Sequence, residues 1–600
     1  MRHYIIYITI TLGSLFGWSA CDSDFLDKYP QTSISPEEFF KTEEDLALYI
    51  DGLLSIKDKY AYQGEQGTDN LATTASVEIK NIMTGNPSSE NIVEGWDWGR
   101  LRDINYFLEH APRAEVPEEA YNHYVGLARM YRAIFYYEKV KRFSDVPWYG
   151  HTLSTNDEEE LYRPRDPRSL VVDSLMADLK FAYEHVREEV TDGTPGKWVA
   201  ATEYARIALN EGSWRKYHPE LELQATAEKF FQIALKISGE IMESGEFEIF
   251  NTGHPEEDYK TLFTSLDLTN NPEVILPHIY DDALGHGLEV YTIFSDYEQC
   301  PTRELLQTYL MRDGSRFTDI EGYEKMIFVE EFEGRDYRLQ SSYAYPGWIN
   351  RGDQNPYIQR LNKNFSGYHQ IKGYDNHRED EINRSIDMPA YRYAEILLIH
   401  AEAAAELDEI DQNIIDRTIN LLRERAGVAP LDMALADQNP DPVLQEQYPN
   451  VQGDHIGTIL EIRRERRVEL AFEDFRFDDL MRWEAADLLL EAPRGMYFPG
   501  LGRYDMDGDG IVDIELISKD EEIPFEDEKY TNELGKKLIY YRVSTIEDGT
   551  GTVYLEFGDD GGEIITEDRE RIFEKPKYYY RPIPETQMIL NPNLEQIFGW

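Results

Sequence analysis

The sequence predicts a mainly α-helical body with long irregular loops and a few short β-strands, on three observations. Apolar residues recur at helical spacing through most of 35–246 and 388–490. Two long stretches, 247–387 and 491–580, lose that period and fill with Gly, Pro, Asn and aromatic residues. Only isolated runs there, such as 273–280 and 551–557, read as strands. At 41% hydrophobic and 29% charged residues, the 600-residue chain is globular rather than disordered.

The elements follow in order. Residues 1–20 read as an export signal: Arg2 and His3 precede an apolar run over 4–18 that is too short to span a membrane comfortably. Trp18-Ser19-Ala20-Cys21 resembles a bacterial lipobox, in which Cys21 receives diacylglycerol and its freed amine a further acyl chain. Several chains anchor stably where one is marginal. Asp22, Asp24 and Asp27 resemble the surface-export signal of some Gram-negative lipoproteins. The expected location is therefore the outer membrane, lipid-anchored and facing outward; the alternative is an ordinary cleaved signal with Cys21 incidental. Residues 21–34 form a tether to a single domain over 35–600.

A first helix is expected from Ser35 to about residue 60, with Ser35 as cap, Pro36 at the first position, and Glu37 and Glu38 in the first turn. Further helices are predicted over 100–110, 118–142, 167–189, 202–216 and 225–244. In 391–407, Ala394, Leu397, Leu398, Ala401 and Ala405 fall at i, i+3, i+4, i+7 and i+11. A helix over 411–426 stops at Gly427, and one over 457–490 breaks near Asp474-Phe475. Small Ala at close contacts suggests antiparallel, tetratricopeptide-like pairs; no regular 34-residue period exists, so such repeats are degenerate.

Charge excludes one class of function. With 60 Lys+Arg against 115 Asp+Glu the net charge is −55, a field that repels a phosphate backbone, so no nucleic-acid partner is expected. Two cysteines make no disulfide framework, and Cys300 is expected to be a small buried residue. In the Arg- and Glu-rich segment 461–473, Glu461–Arg464 and Arg466–Glu469 stand at i, i+3, which reads as helix-packing ion pairs rather than an anion site. Arg392, Glu395 and Glu402 read as buried or interhelical pairs.

Aromatic residues reach 13%, with 41 Tyr, more than core filling requires. A sugar is held by laying a ring face on an aromatic platform and bonding its hydroxyls to polar side chains. Two stretches have that chemistry. Trp96 and Trp98 flank Asp97 just before the helix at 100, with Asp69 and Asn70 upstream; Tyr343, Tyr345, Trp348 and Arg351 crowd 341–357. Tyr291 and Tyr297 mark a third loop. The alternative is that these rings pack the loops onto the helices.

A metal candidate lies at 505–513. Asp505, Asp507, Asp509 and Asp513 stand at positions 1, 3, 5 and 9 of a calcium-loop pattern, with Gly510 at the turn and the Ile511 carbonyl at position 7. Position 12 is Leu516, with Glu515 one residue early. The alternative is a solvated Asp-Gly turn; a bound Ca²⁺ would be structural.

Several ordered segments carry a family resemblance. They are Asp27-Lys28-Tyr29-Pro30 with Ile34 to Phe40; Arg102 to Leu108; Ala128 to Ala133 running on to Phe143-Ser144-Asp145-Val146-Pro147; Arg392 to Ala403; Glu465 to Glu473 with Arg476 to Trp483; and Pro582-Ile583-Pro584-Glu585 with Asn591 to Gln596. Together they resemble the SusD/RagB family of outer-membrane nutrient-binding lipoproteins over the whole mature chain. Asp103-Ile104 and Asp474-Phe475 depart from the usual residues. The resemblance implies a SusD-like helical body and non-catalytic capture of a glycan. It also implies delivery to a SusC-like TonB-dependent outer-membrane transporter. Peptide or another nutrient is the alternative cargo, and a surface glycoside hydrolase, which needs a carboxylate pair, the alternative activity. No nucleophile elbow, metal-hydrolase helix or phosphate loop is present, and no enzyme is expected. The family's ligand residues vary, so motif matching transfers none of them.

Overall fold

The computed structural model describes residues 39–54, 56–286, 294, 299–376 and 385–600. Cys21, Tyr291, Tyr297 and the expected Ser35 cap lie outside the described residues. No helix among the described residues is long and apolar enough to cross a membrane.

The helical body is a stack in which neighbours in sequence are neighbours in space. Helix α1 (Glu43–Leu53) starts under a capping box: Thr42 accepts from the Asp45 N–H, and Asp45 accepts from the Thr42 N–H. It ends at Leu54, which turns to extended backbone, short of the expected residue 60. Helices α2 (Gly99–His110) and α3 (Glu118–Phe143) follow, then α4 (Arg168–His185), α5 (Lys197–Tyr217) and α6 (Ala227–Ser244). From α2 onward each packs on the one before it, and α6 packs on α7 (Tyr393–Glu406). Small residues permit the approach. Ala200, Ala201, Ala205 and Ala208 of α5 are buried, and a methyl on Gly212 would sit 2.8 Å from the Phe231 ring.

The long helix expected over 457–490 is two helices, α8 (Ile456–Glu469) and α9 (Arg476–Arg482). Phe472 and Asp474 between them both hold φ of 63°, a left-handed conformation that no helix continues through. The helix expected over 411–426 also divides, at Thr418.

Every residue of α8 from Gly457 to Glu469 is buried, including four arginines and three glutamates. Buried charge needs compensation, and here it comes mostly from tertiary ion pairs; Arg463 instead lies among the rings of Tyr217, Tyr448 and Trp483. Glu469 meets Arg392 and Arg425 at 2.5 Å and Arg338 at 2.8 Å. Burial alone would raise its carboxyl, yet those three guanidinium groups hold it well below the usual range. Glu461–Arg464 forms at 3.3 Å. The expected Arg466–Glu469 pair does not: Arg466 turns to Asp479 at 2.8 Å instead. Glu395 pairs with Arg206 at 2.6 Å, and Glu402 with Arg482.

The stretch 491–580 is more regular than its composition suggests. Strands β1 (Gly502–Tyr504), β2 (Ile514–Ser518), β3 (Ile539–Ser544) and β4 (Val553–Tyr554) form one sheet in that order. The β1–β2 pair is antiparallel and the other two are parallel, with Tyr504 opposite Ile514 and Leu516 opposite Tyr541. Ile514, Leu516, Tyr541 and Val543 face a second core shared with Tyr343, Phe472 and Met496, apart from the large helical core. Cys300 is fully buried in the short strand Gln299–Pro301.

Candidate functional site

Trp96 and Trp98 stand where the chain enters α2. Asp97 accepts from the Gly99 N–H at 3.0 Å, shaping that entry. The turn before it is held from behind by α3. Lys139 donates to the Gly95 carbonyl at 2.5 Å and lies 5.6 Å from the Trp98 ring. Arg142 donates to the Glu94 carbonyl at 3.2 Å and grips both carboxylate oxygens of Glu78. Burial brings the Lys139 ammonium down to about 8. The two indoles stand at 84° with centroids 5.5 Å apart, and Trp98 meets Tyr149 at 83°. They therefore make a corner with floor and wall rather than a flat shelf.

Two other segments complete a groove of about 560 Å³ around this corner, within the usual size of a small-ligand site. One is the turn after α3, carrying Pro147, Tyr149, His151 and Leu153, with Leu161 and Tyr162 further on. The other is α10 (Glu585–Leu590) and its continuation, carrying Gln587, Leu590, Asn591 and Leu594. Buried Asn105 of α2 pins the first by donating to the Tyr149 and His151 carbonyls at 2.9 and 3.1 Å. Asn591 donates to the Arg163 carbonyl at 3.0 Å and Asn593 to the Tyr162 carbonyl at 2.6 Å, which joins the second to the first. No Asp or Glu is among the eighteen lining residues, in a chain with 115 acids.

The other residues with ligand chemistry go elsewhere. Asp69 is buried under Arg467 and Arg476, at 2.9 and 2.7 Å, and those guanidinium groups hold its carboxyl low against the effect of burial. Asn70 is fully buried, donating to Glu65 and accepting from Arg467. Tyr343 is fully buried and donates to the Thr302 carbonyl at 3.0 Å. Trp348 is 2% exposed, packed among Phe294, Tyr357 and Tyr374. These four are scaffold, because a ligand cannot reach a ring or amide already enclosed by protein. Tyr345 and Arg351 are half-buried and line no part of the groove. Tyr149, His151, Tyr162 and Gln587 are the residues sequence reading missed. Only Tyr149 had a signal, two residues past the Val146-Pro147 motif.

The acidic loop joins β1 to β2. Carboxylate oxygens of Asp505, Asp507 and Asp513 converge within 4.8 Å. Asp505 accepts from the Gly508 and Gly510 N–H groups, both at 2.7 Å. Asp509 is exposed, outside that cluster, and accepts from the Ile511 N–H. Glu515 is paired with Arg503 at 3.0 Å, so it does not serve the loop. Burial, then its acidic neighbours, pushes the Asp513 carboxyl up to about 6. Three hard oxygen donors from one short loop suit a calcium ion in chemistry.

The profile of the SusD family matches residues 297–600. SusD-like protein P2 of Formosa agariphila is 24% identical over 517 residues, covering 80% of this chain and 91% of that protein. Among solved structures, a SusD-like carbohydrate-binding protein from Bacteroides fragilis superposes with a TM-score of 0.66 at 20% identity, over 93% of this chain and 100% of that one. A SusD superfamily protein from Parabacteroides distasonis gives 0.56 at 18% identity, over 93% and 99%. The two structures share the fold described above. With a family profile running through half of its length, the chain belongs to the SusD family.

Proposed function

We propose that this protein is a non-catalytic surface lipoprotein, anchored through Cys21, that captures glycan in the Trp96–Trp98 groove and passes it to a SusC-like TonB-dependent transporter. The observation that carries this reading is the indole corner set in a pocket lined by no carboxylate. An aromatic face suits the apolar side of a pyranose, worth roughly 1 kcal/mol or less per ring. Retaining and inverting hydrolysis each need two carboxyl groups flanking the bond, and this lining offers none. It also offers no anion to a basic peptide. The carbohydrate-binding relative from Bacteroides fragilis supports the same reading by its fold.

The loop at Asp505, Asp507 and Asp513 is proposed to hold Ca²⁺ as a structural ion, with the Ile511 carbonyl and Asp509 as further oxygen donors. It abuts the turn bearing Trp348: a methyl on Gly508 would lie 3.5 Å from Pro346.

Affinity electrophoresis over plant, microbial and host polysaccharides, with peptides in parallel, tests the function. Retardation by at least one glycan, lost in Trp96→Ala/Trp98→Ala, is expected. Binding to peptides alone would replace glycan by the alternative cargo, and shortening of a polymer over time would replace binding by hydrolysis.

A further inference from the structure

The groove's walls are unlike those a bare sugar needs. Leu101, Leu153, Leu161, Leu590, Leu594 and Pro147 make up a third of its lining. Its two asparagines are already engaged. Asn105 donates to two backbone carbonyls and its oxygen faces Arg132; Asn591 donates to the Arg163 carbonyl and accepts from the Asn593 N–H. Arg102 directs one nitrogen to the Leu153 carbonyl. Leu101 and Leu594 are buried, so the leucines a ligand touches are Leu153, Leu161 and Leu590; hydroxyls turned towards them meet no partner, and a polar group buried without one is costly.

The mouth is apolar as well. Leu590 is 67% exposed and Leu161 39%, with Tyr162 and Ile589 exposed beside them. The backbone that carries Leu161 and Tyr162 is held in place, because Asn591 and Asn593 fasten 161–163 to the segment after α10. An ordered, exposed apolar patch continuous with a pocket marks a binding surface.

We infer that the groove takes glycans whose hydroxyls are capped or replaced by small apolar groups, such as O-acetyl esters, methyl ethers or 6-deoxy carbons, rather than bare polyols. The inference rests on the glycan reading above. The indole corner receives a ring face, and the leucines receive the substituents. A polar group left over, on Arg102, His151, Thr155 or Gln587, then orients the sugar.

The test compares an O-acetylated glucomannan with the same polymer after mild alkaline deacetylation, and a 6-deoxysugar polymer with a fully hydroxylated one. The wild-type chain is expected to bind the acetylated or deoxy form about tenfold more tightly or better, the discrimination one small apolar group supports. Leu161→Ser/Leu590→Ser, at exposed positions that do not threaten folding, is expected to bring that ratio near one. Equal or tighter binding to the bare polymers, still lost in Trp96→Ala/Trp98→Ala, overturns this inference and leaves the glycan reading standing. A ratio that survives the double leucine change also overturns it. Retention of none of these polymers overturns this inference alone, and retention of an apolar peptide in their place overturns both.

Discussion

Gly95 and Arg142 fit so closely that a methyl on Gly95 would lie 2.4 Å from the arginine Nε and 2.6 Å from its Cδ, on a backbone at φ 86°. That contact fixes the turn presenting both indoles, because the same guanidinium grips Glu78 and the Glu94 carbonyl. Gly95→Ala must therefore strain the backbone and push Arg142 aside. The left-handed backbone alone costs about 1–2 kcal/mol. The variant should melt below the wild type by differential scanning calorimetry and lose glycan retardation together; unchanged retardation would uncouple the turn from the site.

Trp96→Ala/Trp98→Ala and Trp348→Ala should separate binding from stability. The first pair lies half-buried at the groove and should abolish retardation with the helical circular dichroism intact. Trp348, enclosed by three rings, should cost about 3–5 kcal/mol on truncation and spare the groove. Urea denaturation and affinity electrophoresis of the two variants give both numbers.

Glu469→Gln removes the anion shared by Arg338, Arg392 and Arg425. Each arginine keeps another carboxylate, Arg338 with Asp336 and Glu465, Arg392 with Glu273 and Glu473, and Arg425 with Glu273, so the cost should fall at the lower end of the about 3–5 kcal/mol for breaking a buried pair. Chemical denaturation should show a loss of unfolding free energy of that size, and a neutral result would mean the remaining carboxylates compensate all three arginines.

Acid should weaken the fold through buried histidines. Burial holds His369 and His400 neutral down to about 4, and burial together with Arg187 does the same for His123, against an ordinary 6.5. The unfolded chain then binds more protons between those values. Their contribution is fully present above pH 6.5 and is lost as pH falls towards 4, by on the order of 3 kcal/mol for each imidazole. His369 accepts from Asn364 and contacts the Phe294 carbonyl, a pairing of one neutral tautomer. Melting temperatures across pH 7 to 4 should fall, and His369→Gln should flatten the slope.

Chelator should lower the melting temperature if calcium occupies the loop at 505–513, and added Ca²⁺ should restore it. Asp505→Asn/Asp507→Asn should remove that response. A melting curve indifferent to both reagents would leave the loop an Asp-Gly turn closed by its own backbone N–H groups.

How far the sequence could be read depended on whether a feature is local. Helix α7 announced itself through Ala394, Leu397, Leu398 and Ala401, although the stripe does not mark its buried face, because every residue from Tyr393 to Ala405 is buried. Charge spacing on α8 found the Glu461–Arg464 pair but not the partners of Arg466 and Glu469, which belong to other helices and, for Arg392, to a strand end. The strands β1 to β4 are only two to six residues long and two of their three pairings are parallel, so little periodicity accumulates. At the site, Trp98 and Trp348 carry the same chemistry in similar irregular surroundings. Both meet rings from elsewhere in the chain, Trp98 those of Phe135, Tyr136 and Tyr149; what separates them is that Trp348 is fully covered while Trp98 stays half-buried at the groove, and neighbouring residues say nothing of that.

Asn591 reaches a carbonyl 428 residues earlier, and Arg165 reaches the Glu595 carbonyl across 430. A wall assembled over such separations is among the slowest contacts for a folding chain to make. One side of the cleft is supplied wholly by residues 587–594, so a chain lacking them would keep the indole corner and lose the wall that faces it. Any lesion that loosens this C-terminal segment should therefore silence recognition in the groove while leaving the helical stack intact.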